Sequence, residues 1–250
     1  QATNIAFNVS GGLAGIAGVA TVNTITDLTA AYIAKSNVNS AADFGNDVIV
    51  RAHSDAFLHT FAGGVAGGFV GTSGTVDRST INSTTRAFIS DNSENKADLS
   101  EVSSHVFGKG IEVSASSRET IRVNLLSASG GFSSVAGTVS VADINANTQA
   151  FVRDSDVASI GSLKLRADDN AVIDPTITSV SVGGFAGGAA ISLNTIKTTV
   201  QAQVIGGDLA ATGALSVIAD SDESITPVVA SEGIGGFAIA GSIAVNTIET

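Results

Sequence analysis

The phrase GGFAGGAAISLNTI at residues 183–196 returns as GGFAIAGSIAVNTI at residues 235–248. A chain that repeats a phrase at fixed spacing folds as a row of like units, because a lone unit leaves an apolar face that only a neighbouring copy covers. Five glycine pairs mark the phrase: Gly11-Gly12, Gly63-Gly64, Gly130-Gly131, Gly183-Gly184 and Gly235-Gly236, spaced by 52, 67, 53 and 52 residues. They divide the chain into units of residues 11–62, 63–129, 130–182, 183–234 and a partial 235–250. The last copy stops soon after Asn246-Thr247-Ile248 and no initiator methionine is present, so the expectation is one array, a window of a longer chain.

Two further phrases recur in each unit. The first is Thr29-Ala30-Ala31-Tyr32-Ile33, then Thr85-Arg86-Ala87-Phe88-Ile89, Thr148-Gln149-Ala150-Phe151-Val152 and Val200-Gln201-Ala202-Gln203-Val204. The second is Val48-Ile49-Val50-Arg51-Ala52, then Ile111-Glu112-Val113-Ser114-Ala115, Leu163-Lys164-Leu165-Arg166-Ala167 and Leu215-Ser216-Val217-Ile218-Ala219. In both, alternate positions are small or aliphatic, the period of a strand with one buried face. The alanines of the two phrases are separated by 21, 28, 17 and 17 residues. Constant strands joined by connections of changing length place the insertions in surface loops, the longest running from Ser90 to Gly110.

No segment sustains a helical period. The expected fold is all-β, a β-solenoid or parallel β-helix built from repeats of about 52 residues, with each unit making either one long coil or two to three short ones. The glycine phrase reads as a doubly buried strand pair or a tight turn, since Gly and Ala let other backbone approach closely. Stacking lines up Tyr32, Phe88 and Phe151 on one outer face. Asn23, Asn194 and Asn246, with Asp77 and Asp143 in matching places, suggest a polar ladder at a turn.

Acidic residues outnumber basic ones 23 to 12, for a net charge of −11. That balance argues against nucleic acid, whose phosphates need concentrated Lys and Arg. With no cysteine, there is neither a disulfide framework nor a thiolate metal site. Charge-free runs such as Asn4–Thr26 and Pro175–Ile196 are long enough for a helical membrane span, but their Asn, Ser and Thr content and acidic flanks argue against insertion. No GK[ST] follows the glycines, and no copy completes GGxGxD, so neither a phosphate loop nor a calcium nonapeptide is indicated.

His53-Ser54-Asp55 carries the residue types of a catalytic triad, yet strand neighbours point to opposite faces and cannot assemble one. The pairs Asp154/Asp156 and Asp220/Asp222 place two carboxylates on one face, weak candidates for Ca²⁺. No other cofactor and no catalytic residue is expected.

The phrases GGFAGGAAISLNTIKTTVQAQV and ALSVIADSDESI resemble the repeats of giant bacterial exoproteins, the filamentous-haemagglutinin-like and leukotoxin-like passengers of two-partner or autotransporter secretion. The resemblance covers essentially the whole chain through its repeat texture. It implies a right-handed β-helical shaft, export to the bacterial cell surface or medium, and roles in adhesion, biofilm or contact with a host or neighbouring cell. It brings no catalytic residues. The expected role is a non-catalytic shaft or fibre segment, with glycans, cell surfaces or identical shafts as partners. Its expected contact surface is Tyr32, Phe88 and Phe151 with Asp91, Glu94, Lys96 and His105. A membrane-acting toxin segment is the alternative, and a polysaccharide-acting β-helix enzyme a third.

Overall fold

The computed structural model describes residues 1–90 and 104–250. It is all-β, with long parallel strands and, among the described residues, no helix. The strands are β1 (Ala2–Ser10), β2 (Ala14–Ala34), β3 (Asn37–Val38), β4 (Val48–Gly67), β5 (Val70–Ser90) and β6 (His105–Gly108). They continue as β7 (Ile111–Arg153), β8 (Asp156–Ser159), β9 (Leu163–Ile205), β10 (Leu209–Ala211), β11 (Leu215–Ile225) and β12 (Val228–Glu249).

One repeat makes one coil. Leu215 of β11 pairs with Leu163 of β9, and Leu163 with Ile111 of β7, each 52 residues apart. The step grows to 63 between Val48 and Ile111 and is 56 between Ala14 and Val70. Each coil consists of two long limbs facing each other. The first limb is β4 in the second coil and residues 111–130 of β7 in the third; the second limb is β5 and residues 133–153 of β7. A short connection carrying β3, β6, β8 or β10 closes the far end and forms its own small parallel sheet. Both recurring strand phrases fall in register from rung to rung.

The reversal between limbs is the glycine corner. Gly131 pairs with Gly183, and Gly183 with Gly235. A Cβ on Gly131 would collide with the carbonyl oxygen of Gly68, one on Gly183 with that of Gly131, and one on Gly235 with that of Gly183. Only glycine lets the corners stack this closely. In the second coil the corner lies at Gly67-Gly68, while Gly63 and Gly64 sit within the limb, Gly63 beside the ring of Phe7.

Inward side chains form alternating layers. Nearest the connection, Val50, Val113 and Leu165 meet Ile89, Val152 and Val157. Further along, Leu58, Ile121 and Ile173 meet Ile81, Ile144 and Ile196. Each such side chain, fully removed from water, contributes about 1.5–3 kcal/mol. Between and beyond these layers lie polar rows. At the corner, Ser181 Oγ donates to Ser134 O at 2.9 Å and Ser179 Oγ to Ala136 O at 2.9 Å, bracing one limb against the other.

Candidate interaction surfaces

The two outer faces differ in chemistry. Outward positions of the first limb away from the corner carry charge, whereas nearer the corner Ile5, Phe7, Phe61 and Leu126 are exposed. In the charged part, the Arg51 guanidinium grips Glu112 on the next rung at 2.7 Å, and Arg166 Nε bonds Asp168. Hydrogen bonding from Arg51 holds the Glu112 carboxyl below its usual range. An open groove of about 480 Å³ on this face is lined by Asp55, Phe57, Arg118, Arg122 and Asn170. Arg122 lies over the Phe57 ring at 5.7 Å, and Asn124 Nδ2 meets His59 Nε2 at 2.9 Å. Two guanidiniums, a carboxylate and an aromatic face are groups suited to polar, hydroxyl-rich or anionic ligands.

Near the corner, the outer face of the second limb is apolar. Phe69, Phe132, Phe185 and Phe237 form an exposed column, the least open of them still 51% accessible. Phe69 stacks on Phe132 at 5.2 Å and Phe185 on Phe237 at 5.5 Å, with an edge-on step of 5.8 Å between the pairs. The step arises because Phe185 is in register with Ser133, one residue beyond Phe132.

The expected aromatic row is present, with ring centroids at 5.1 Å for Tyr32–Phe88 and 4.8 Å for Phe88–Phe151. Its accessibility differs from expectation. Tyr32 is 61% exposed, but Phe88 and Phe151 keep only 4% and 8%, Phe88 lying between two rings and Phe151 under the Arg153 guanidinium at 5.0 Å. As a contact surface the row reduces to Tyr32. Asp91, Glu94 and Lys96 lie outside the described residues. His105 begins β6, its Nε2 3.2 Å from the Asp156 carboxylate.

Asp154 occupies a left-handed turn with φ 47°. Asp156 accepts from the Asp208 amide at 3.3 Å, Asp220 pairs with Asp168, and Asp222 accepts from Asn170 at 3.3 Å. Among the described residues, no three acidic or histidine side chains converge as they would around an ion. His53 points outward while Ser54 is buried, donating to Asp27, so the triad letters are split across the sheet.

The polar ladder is only partly realised. Asn194 Nδ2 donates to Asn246 Oδ1 at 2.8 Å, and Asn23 bonds Asn4 and Thr60. Between Asn23 and Asn194, however, the column holds Ser79 and Ala142. Asp77 stands two residues aside on the same inner face, buried and bonded by Thr21 and Ser79. Asp143 faces outward toward Arg78. A shift of one residue reverses the face a strand residue occupies.

Sequence reasoning missed an inner row of carboxylates. Glu119 and Asp169 are buried on adjacent rungs of the first limb, at inward positions of the alternating pattern. Thr148 Oγ1 donates to Asp169 at 3.0 Å and Ser117 to Glu119. Burial pushes both up, and with the Glu119 charge nearby Asp169 reaches about 7. Burial also raises Asp77. The inward position of Glu119 was readable from the phase of Ile111, Val113 and Ala115.

No family model matches the chain, and neither a curated protein nor a solved structure matches it. Among the described residues, no helix is long and apolar enough to cross a membrane.

Proposed function

We propose that the chain is a shaft segment of a secreted or cell-surface bacterial protein of the adhesin type, holding or presenting contact sites rather than performing catalysis. The observation that carries this reading is the one-repeat, one-coil register: each coil adds about 4.8 Å of length without new topology, and inserted residues are confined to the connections. Such growth suits projection. On this reading, the groove beside Arg118 and Arg122 and the connection around residues 90–110 carry the recognition, with glycans or cell surfaces as partners.

The test is binding of the 250-residue chain to a panel of cells and immobilised glycans, beside Arg118→Ala/Arg122→Ala and a variant with residues 91–108 replaced by a short turn. Binding lost in either variant supports recognition by this segment. Turnover of a polysaccharide by the parent chain overturns the non-catalytic reading. A second reading, a membrane-acting segment, draws on the exposed phenylalanine column; leakage from dye-loaded vesicles would favour it.

A further inference from the structure

The apolar face of the second limb extends well past the phenylalanines. Outward from the corner come Ile16, Val135 and Ile239 in one column, alternating with Thr72 and Gly187, then Val76, Val139, Ile191 and Ile243 in another that begins at Ala20, then Val22, Val141, Leu193 and Val245. Arg78, at the border, is the sole charge among these positions. Between the first two aliphatic columns runs a column of Gly18, Gly74, Gly137, Ala189 and Gly241.

These glycines are unlike those of the corner. A Cβ built on Gly18, Gly74, Gly137 or Gly241 meets nothing within 4 Å, and none has a backbone conformation reserved for glycine. Glycine within a strand costs stability and leaves apolar area unburied. The protomer itself therefore gives no reason for four glycines here, and close approach of another surface does.

We infer that this face is the lateral docking site for a second copy of the chain. Five rungs at about 4.8 Å and outward residues every ~6.7 Å along the limb give a flat footprint on the order of 700 Å². A standard stable interface buries about 800 Å² per partner. Charge also bears on the choice of face: two copies at −11 each repel at long range, and docking through the first limb would strip water from Arg51, Glu112, Arg118, Arg122, Arg166 and Asp168, a desolvation cost the second-limb face avoids. The apolar second-limb face is the one on which acidic copies can meet. The valley along the glycine column, walled by Val135 and Val139 and their rung mates, admits the aliphatic ridge of an identical face at the same rung spacing. A lipid surface has no such ridge and would be better served by larger apolar side chains in place of glycine. The inference gives the identical-shaft partner a specific face and does not rest on the shaft reading.

The test is sedimentation velocity of the whole chain across the micromolar range, beside Gly74→Thr/Gly137→Thr. Concentration-dependent dimerisation is expected, weakened at least about tenfold in the variant, with a melting midpoint equal to or above that of the parent when both are read at a concentration where they are monomeric. A variant that associates undiminished, or that melts lower than the parent as a monomer, overturns the inference. So does a parent chain that stays monomeric; if that monomer floats with phosphatidylglycerol-containing vesicles, the face belongs to lipid. The chain is free of cysteine, so Val139→Cys provides a reading that needs no altered glycine. It lies mid-shaft and should oxidise to a covalent dimer, while Ser116→Cys on the first-limb face should not. The reverse pattern also overturns it, as does dimerisation without Val139→Cys cross-linking, which places association at the ends.

Discussion

Two columns built on glycine run the length of this molecule, the outer one interrupted by Ala189. At the corner, Gly131, Gly183 and Gly235 each lie against the carbonyl of the rung before, where a methyl group has no space. On the outer face, Gly18, Gly74, Gly137 and Gly241 look into open space. One residue type thus answers two demands. The first comes from the fold itself, the second from outside the protomer. Composition merges the two, and only the register separates them.

The largest expected effect breaks the corner. Gly131→Val forces a branched side chain into the backbone of the second coil, and overpacking of this kind costs about 3 kcal/mol or more. The loss should appear in chemical denaturation as a lower midpoint. Removing interior volume sets the scale against which to read it. Ile144 is fully buried in the layer with Ile81 and Ile196, and Ile144→Ala should cost about 2–5 kcal/mol.

How much of this was legible in the sequence follows from the same columns. The strand phrases fell into register as written, because alternate aliphatic positions must face the interior together. The glycine pairs were a less faithful guide. Gly63-Gly64 copies the phrase but lies four residues before the corner, so spacing alone put the second unit out of phase. The coil size was open because both limbs of one coil read as separate strands of similar pattern. The phrase was expected to be a doubly buried strand pair or a tight turn: its glycine pair makes the turn in the third to fifth coils, while the strand that follows packs its inner face and leaves its outer face bare. Asp143 was grouped with Asn194 by resemblance of the surrounding words, while the pleat sets it outward. Glu119 and Asp169 were passed over because acidic residues in strands are ordinarily solvated; the strand phase already turns both inward, and the register adds that they lie two residues apart on adjacent rungs.

Those acids provide the next effect. In the folded chain the Asp169 carboxyl titrates near 7, above its ordinary 3.8, chiefly because it is buried and next because Glu119 lies beside it. The folded state therefore holds a proton that the unfolded chain has lost between those values. Stability should be highest below about pH 4, fall as pH rises through about 7, and level off above, a change on the order of a few kcal/mol. Melting midpoints from pH 4 to 8.5 check this, and Glu119→Gln should flatten the slope. A midpoint that climbs over that range would contradict the buried pair.

The smallest effects lie on the outer surfaces. Gly74→Thr should leave the isolated protomer as stable or up to about 1 kcal/mol more so, opposite in sign to Gly131→Val. That inversion is the sharpest form of the comparison. Arg51→Ala on the charged face should leave the denaturation midpoint unchanged within error, since its pair with Glu112 is solvent-exposed and such pairs add little.

Both glycine columns depend on each repeat forming a single coil, and cysteine pairing measures that most directly. Ser116 and Asp168 lie side by side on adjacent rungs, 52 residues apart. Neighbouring parallel strands bring Cα atoms about 4.8 Å apart, within disulfide range. The double variant Ser116→Cys/Asp168→Cys should close an intramolecular disulfide under mild oxidation, and Ser116→Cys/Asp143→Cys, half a repeat apart, should remain reduced. A bridge in the second variant and none in the first would mean that the repeat makes two short coils, and the two columns of glycine would not exist as described.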